Sequence, residues 1–219
     1  MKKNITTIAA FVIWVLPILY FIQTYTALPE TVALHFDING NPNRYGNKSE
    51  LIWAQIILSI TTIGIYFLLR YLPTIDPKKN VSYSADTLKK LSIILVVFLS
   101  ALQLVVINSA VTGSFKLTKF FLPIVGLFFA LLGNLMHNMK PNYFFGIRTP
   151  WTLEDENNWR ATHQLAGKLW FVGGIIITII ALLIPKEYSF KIFIACVIIM
   201  ALVPSVYSFL YFKKHKNKN

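Results

Sequence analysis

Hydrophobic residues along this chain fall into six long runs, at approximately 5–27, 51–70, 91–112, 119–136, 167–185 and 190–212. A helix of about 20 apolar residues crosses a bilayer. Each run comes near that length, and none carries Asp, Glu, Lys or Arg in its interior. The runs are continuous rather than alternating, which favours helices over membrane strands. Pro17, Pro123 and Pro204 fall inside runs, where neighbouring helices satisfy the freed carbonyls. The pattern predicts an all-α integral membrane protein. It is a bundle of about six transmembrane helices with a small extended outer loop and an inner amphipathic helix.

Composition agrees with a surface that faces lipid. The chain of 219 residues is 55% hydrophobic and 14% charged, with a mean hydropathy of +0.57. A soluble domain carries about a quarter charged residues. Six spans leave too little chain for a separate soluble domain. The first run follows Lys2 and Lys3 and extends from Ile5 to Leu28. It is too long for a signal peptide and has no small-x-small cleavage site, so it reads as a retained first helix.

The net charge of +12 does not point to direct nucleic-acid binding, because the Lys and Arg residues sit in short clusters between the apolar runs. Membrane-flanking charges belong there, and they favour the cytoplasmic side. With the N-terminus inside, fifteen Lys and Arg fall on the inner side and six on the outer side. A multi-pass protein with both termini cytoplasmic follows. The lone Cys196 lies in an apolar run, allows no internal disulfide and reads as a small hydrophobe. The chain divides into three parts: residues 1–70, two spans with an outer loop; 71–90, a polar linker with Pro73, Pro77 and Ser82; and 91–219, four spans with an inner loop at 133–168. The basic tail 213–219 reads as an anchor on anionic lipid.

Two loops are longer than a connection requires, and binding residues concentrate on such loops. In the outer one, Val32, Leu34 and Phe36 alternate with Ala33 and His35, a short strand. Asn39-Gly40 then supplies a tight turn and Asn41-Pro42 extends it. His35 and Asp37 point the same way on a strand, but two ligands are too few for a closed zinc site. Packing or hydrogen bonding at the interface is the commoner use of such a His, and a pH-responsive binding group the alternative.

In the inner loop, Thr149 precedes Pro150 and is extended. Trp151 suits the headgroup layer. Thr152 and Asp155 resemble a capping box, and Glu154, Asp155 and Glu156 suit the positive end of a helix dipole. A helix is therefore predicted from Leu153, with Glu156, Trp159, Arg160, His163 and Gly167 near one face and Glu156 able to pair with Arg160. Arg148 has no local partner in sequence. Its expected role is structural, wedging the loop into the bundle with Trp151, Trp159 and His163.

These residues resemble the SdpI family of bacterial immunity proteins over nearly the whole chain. The outer loop, from Leu28-Pro29 through His35-Phe36 and Gly40-Asn41-Pro42 to Lys48, resembles the N-terminal domain of unknown function common in that family. The inner stretch resembles its second and more specific signature. That stretch holds Gly133-Asn134, Pro141-Asn142, Gly146-Ile-Arg-Thr-Pro-Trp-Thr-Leu153, Trp159, Thr162-His163 and Gly167. Asp37 stands where the family pattern has Asn, and Gln164 where it has Arg, which bears on partner choice. The resemblance implies a bacterial plasma-membrane protein that protects its cell from a secreted toxic peptide. It also implies sequestration of a cytoplasmic transcriptional repressor at the membrane. Membrane lipids are the remaining partner, and no cofactor is expected. The binding candidates are Pro29, His35, Phe36, Asp37, Gly40, Pro42 and Lys48 outside. Inside they are Asn134, Pro141, Asn142, Gly146, Arg148 to Thr152, Trp159, Arg160, Thr162, His163 and Gly167.

Two other classes compete. A membrane enzyme would need a metal site built from His137, His163 and residues 154–156, and no His-Glu-x-x-His, Gly-x-Ser-x-Gly or Cys-x-x-Cys motif is present. An ion-coupled transporter would place ionisable groups inside the membrane. Here the main polar amides in the spans are Gln55, Gln103, Asn108 and Asn134, which read as interhelical hydrogen-bond partners and leave only an exporter of a neutral or peptide substrate.

Overall fold

The computed structural model describes residues 2–75, 85–142 and 144–216. The apolar runs form helices, and six of these are long and apolar enough to cross a membrane. In chain order these are α1 (Lys2–Tyr25), α2 (Ser49–Ile75), α3 (Ala85–Thr112), α4 (Leu122–Met136), α6 (Glu156–Leu183) and α7 (Lys186–Lys216). A short α5 (Pro150–Glu154) precedes α6, and a π-turn over Leu117–Phe121 leads into α4. Large apolar side chains face outward along the helices, Ile5, Trp53, Ile60 and Leu182 among them. Such a surface is stable only in lipid.

Helix ends differ from the limits of the apolar runs. α2 continues through Pro73 to Ile75, and α3 begins at Ala85, so Lys89 and Lys90 are helical rather than part of a linker. Lys90 pairs with Asp86 one turn earlier, at 2.7 Å. The linker residues Pro77 and Ser82, and the tail from Asn217, lie outside the described residues. The amphipathic inner helix is not a separate element, because α6 runs from Glu156 straight into its span.

Polar span residues behave in two ways. Gln103 bonds as expected, accepting from the Ser59 hydroxyl at 3.1 Å and donating to Thr62 Oγ1 at 3.2 Å, which ties α3 to α2. Gln55 is buried with no protein partner for its amide, and Asn134 is exposed. Neither is the interhelical partner its sequence position suggested.

The outer loop is a hairpin of β1 (Thr31–Phe36) and β2 (Pro42–Asn47), antiparallel, with Thr31 opposite Asn47 and Phe36 opposite Pro42. Strict alternation fails: Val32 and Ala33 are both buried. The pairing is irregular around His35, and a bulge lets successive residues turn inward. Val32 joins Phe21, Leu28, Leu51 and Ile107 in one apolar cluster, so the hairpin is seated on the ends of α1, α2 and α3. Gly40 has φ +81° and sits against the chain at Phe115, whose N–H donates to the Gly40 carbonyl at 3.1 Å. A Cβ at Gly40 would collide with the Phe115 carbonyl oxygen. Gly40→Ala is therefore expected to unseat the hairpin tip, at a cost of about 1–3 kcal/mol. Faster protease cleavage within residues 37–41 of the membrane-embedded protein would register it, and unchanged resistance would refute it.

Candidate functional site

The inner loop folds on its own polar residues. Asn142 is buried, and its Oδ1 accepts the N–H groups of Phe144 and Phe145, both at 2.9 Å. Its Nδ2 donates to the Lys140 carbonyl at 3.1 Å. Gly146 follows with φ +103°, a left-handed conformation that side chains disfavour. The capping box is formed by Thr149 and Thr152, not by Thr152 and Asp155: Thr152 N–H donates to Thr149 Oγ1, and Thr149 N–H to Thr152 Oγ1. Pro150 occupies the first helical position, where its missing N–H costs nothing. The helix expected from Leu153 is thus two helices broken at Asp155, whose carboxylate caps α6 by accepting from Asn157 N–H at 2.8 Å.

His163 is the centre of the site. It is 1% exposed and stacks on Trp159 with ring centroids 4.0 Å apart. Ile147 N–H points at its Nε2 at 3.0 Å, and its Nδ1 faces the Trp159 carbonyl at 2.8 Å. An amide N–H can only donate and a carbonyl can only accept. The ring is therefore neutral with its proton on Nδ1, and both nitrogens are spent. This rules His163 out as the metal ligand of the enzyme reading. Among the described residues no three His, Cys, Asp or Glu gather into a metal-sized group. Trp159 Nε1 donates to the Met139 carbonyl at 2.8 Å, so the aromatic pair stitches α6 to both ends of the loop. Next to it, Thr162 donates to Asn158 Oδ1 at 3.0 Å, and Asn158 Nδ2 donates to the Ser208 carbonyl at 2.9 Å. Thr149 Oγ1 also meets Ser208 Oγ at 3.1 Å.

The sequence-based list splits under this geometry. Asn142, Gly146, Thr149, Thr152, Trp159, Thr162, His163 and Gly167 hold the loop to the helices. Trp151 packs on Phe209 and Phe212 of α7. Arg148 is exposed, so it does not wedge into the bundle as expected. Glu156 and Arg160 are both exposed and form no ion pair with each other. They share instead the wall of a cleft of about 620 Å³, with His137, Lys140, Pro141 and Gln164. Its floor is the Trp159–His163 pair. Sequence reasoning passed over Asn158, Ser208 and Met139. Asn158 carried a signal, an amide one turn before a buried Thr-His pair; Ser208 and Met139 carried none.

Beneath the site α4 and α6 approach to backbone contact. A Cβ at Gly133 would lie 2.7 Å from the Gly167 carbonyl oxygen, and one at Gly167 would lie 2.9 Å from that of Gly133. Gly126, Ala130 and Gly174 extend the same seam. Small residues let helix backbones meet in lipid, where packing rather than water exclusion drives association.

The outer candidates form a second group at the opposite end of the bundle. Asp37 accepts the N–H groups of Asn39 and Asn41, each at 2.8 Å, so it builds the turn. His35 is exposed and bonds the Asn43 side chain. Lys48 pairs with Glu30 at 2.9 Å and reaches the Leu28 carbonyl at 3.3 Å. Pro29 is exposed and Pro42 is half-buried opposite Phe36. His35, Phe36 and Asp37 border an open hollow of about 430 Å³ with Phe115 and Phe190. Lys186, the first residue of α7, donates to the Asn39 carbonyl at 3.3 Å, which ties the hairpin turn to the start of α7.

Comparison with known proteins places both regions. Residues 138–208, the signature loop with most of α6 and α7, match the family model described as the SdpI/YfhL protein family. Residues 12–60, which contain the hairpin, match a domain of unknown function (DUF1648). The Immunity protein SdpI of Bacillus subtilis (strain 168) is 30% identical over 217 residues, 98% of this chain and 98% of that one. An uncharacterized protein of Archaeoglobus fulgidus is 39% identical over 57 residues, 26% of this chain and 29% of its own length. No solved structure matches.

Proposed function

This chain belongs to the SdpI/YfhL protein family, and on that premise we propose that it is a membrane immunity protein that protects its cell against a secreted toxic peptide. The end-to-end likeness to a protein named for immunity carries the reading. The relative is an immunity protein rather than an enzyme, and the chemistry here agrees: the buried polar groups of the signature bond to one another and to backbone.

In this reading the protein lies in a bacterial plasma membrane with both termini cytoplasmic. The excess of Lys and Arg on the signature-loop side supports that orientation. The hairpin then faces outward, where it meets the peptide, and the cleft of Lys140, Arg160 and Glu156 faces the cytoplasm. A transcriptional repressor with exposed charge is the partner that suits the cleft. Residues 1–70 form the sensing part and 91–219 the part that carries the signature.

Producing the full chain in a bacterium killed by a toxic peptide of this kind tests the reading. Survival is the expected result. Unchanged killing across a panel of sibling toxins, with the protein shown to be in the membrane, overturns it. Cross-linking from Arg160 in the same cells tests the repressor: capture of a DNA-binding protein is expected, and its absence removes that part alone.

A further inference from the structure

Within their spans, α1, α2 and α3 close around a short ladder of polar side chains. Gln103 of α3 is its centre, fully buried, with Ser59 and Thr62 of α2 on its amide at 3.1 and 3.2 Å. Trp14 Nε1 of α1 donates to the Ser59 carbonyl at 3.0 Å. Two groups bracket this set without a partner among the described residues. Ser100 Oγ lies one turn from Gln103, away from the hairpin, and the Gln55 amide one turn from Ser59, toward it. A serine hydroxyl can turn onto a carbonyl of its own helix, as Ser109 does at Val105. Gln55 is the harder case. It is 5% exposed, and both its Nε2 and its Oε1 are unpaired.

The Trp14–Ser59 bond sets the register of α1 against α2. One turn from it toward the hairpin, α2 turns Gln55 inward and α1 turns Pro17 inward. Pro17 has no N–H, so the Ile13 carbonyl lacks its helix donor. Hydrocarbon offers such groups nothing, and an amide buried without a partner is costly. The missing partner has to accept from Nε2 and donate to Oε1. A metal ion or an anion does only one of these. A headgroup or a second chain cannot reach an amide so enclosed. Water does both, and because Oε1 and the N–H cis to it face the same way, one molecule closes a ring with them.

We propose that the α1–α2–α3 interface binds one water molecule within the bilayer, which accepts from Gln55 Nε2 and donates to Gln55 Oε1 and to the Ile13 carbonyl. Three bonds is the usual complement of a buried water. The site ties α1 to α2 beneath the hairpin: Phe21 and Leu51, one turn further on, belong to the apolar cluster that seats it.

Nuclear magnetic resonance of the full chain in lipid nanodiscs, labelled with heavy nitrogen at glutamine only, tests this. The side-chain amides of Gln23, Gln55, Gln103 and Gln164 then report. Gln55→Met identifies the Gln55 resonances by their loss. A cross-peak from water to the Gln55 amide is expected, with the sign of direct contact rather than of proton exchange. None is expected at Gln103, whose amide is bonded within the protein at both ends. Pro17→Ala, which returns a helix donor to the Ile13 carbonyl, should weaken the Gln55 cross-peak about twofold. If Gln55→Met does not fold, Gln23→Met, Gln103→Met and Gln164→Met assign the Gln55 resonances by elimination. No water contact at Gln55, an equal contact at Gln103, or a cross-peak that Pro17→Ala leaves unchanged overturns the proposal.

Discussion

Gly146→Ala is expected to undo the signature loop while leaving the six spans in place. Two costs add at this position. Backbone with φ +103° is strained for any residue with a Cβ, by about 1–3 kcal/mol. The new methyl would also stand 2.5 Å from His163 Nε2, 3.1 Å from Met139 Sδ and 3.3 Å from the Trp159 ring. His163 and Trp159 are each 1% exposed and have no space to retreat. Relief has to come from the loop, which takes Ile147 N–H away from His163. Leaving that donor and acceptor unpaired costs about 1–3 kcal/mol more. The sum is on the order of 4 kcal/mol, a large share of a typical domain's stability. The melting temperature in detergent should fall, and proteases should cut between residues 140 and 149 with the spans still intact. His163→Phe should do less, because it keeps the stack on Trp159 and loses only the polar contacts. An unchanged melt for Gly146→Ala with a protected loop would show that the His163–Ile147 contact does not hold the site together.

Much of this architecture was legible in the sequence, for a physical reason. A span must be about 20 apolar residues long, so hydropathy alone locates it. The same measure locates lipid, not helix. Helices run on past the apolar zone where polar residues still hydrogen-bond along the backbone. That is why α6 begins at Glu156 rather than near Gly167, and why α2 and α3 take in most of what reads as linker. Asn39-Gly40 announced its turn because Gly40 needs a positive φ. The bulge beside it was invisible, since it depends on how the hairpin meets the helix ends. Within the signature, it was legible that Asn142, Thr149, Thr152, Trp159, Thr162 and His163 lie together in the inner loop and the start of the helix after it. Their bonds were not, because they reach Met139 and Ser208, residues with nothing distinctive about them. Arg148 was misplaced because a cation near a membrane reads the same in sequence whether it is wedged in protein or exposed at the surface. The α4–α6 seam also escaped notice. Gly126, Ala130 and Gly174 look like any small residues in an apolar run, and so does Gly64, which touches nothing.

That contrast between glycines supplies a test with an internal control. Gly133 and Gly64 are both helical and both in spans. A Cβ at Gly64 meets nothing within 4 Å, whereas one at Gly133 meets the backbone of α6 at Gly167, Trp170 and Phe171. Gly64→Ala removes a residue that weakens helices, so it should be neutral or stabilising by about 0.5–1 kcal/mol. Gly133→Ala gains the same helix preference and still should destabilise, by about 1–3 kcal/mol, since backbone cannot repack around an added methyl as a side chain can. Gly133→Leu should separate the two helices outright. The consequence for function follows from position. Gly133 lies one turn before His137, and Gly167 one turn after His163, and both histidines line the cleft. Parting α4 from α6 there draws the Met139 carbonyl away from Trp159 Nε1, a bond of 2.8 Å that the closeness of the helices makes possible. Thermal melts of the two alanine variants side by side decide the matter. Equal shifts would mean that α4 and α6 are held together by something other than this seam. A fall for Gly133→Ala alone, with loss of protection in the cell, would tie the spacing of two lipid-embedded helices to the chemistry at the membrane surface.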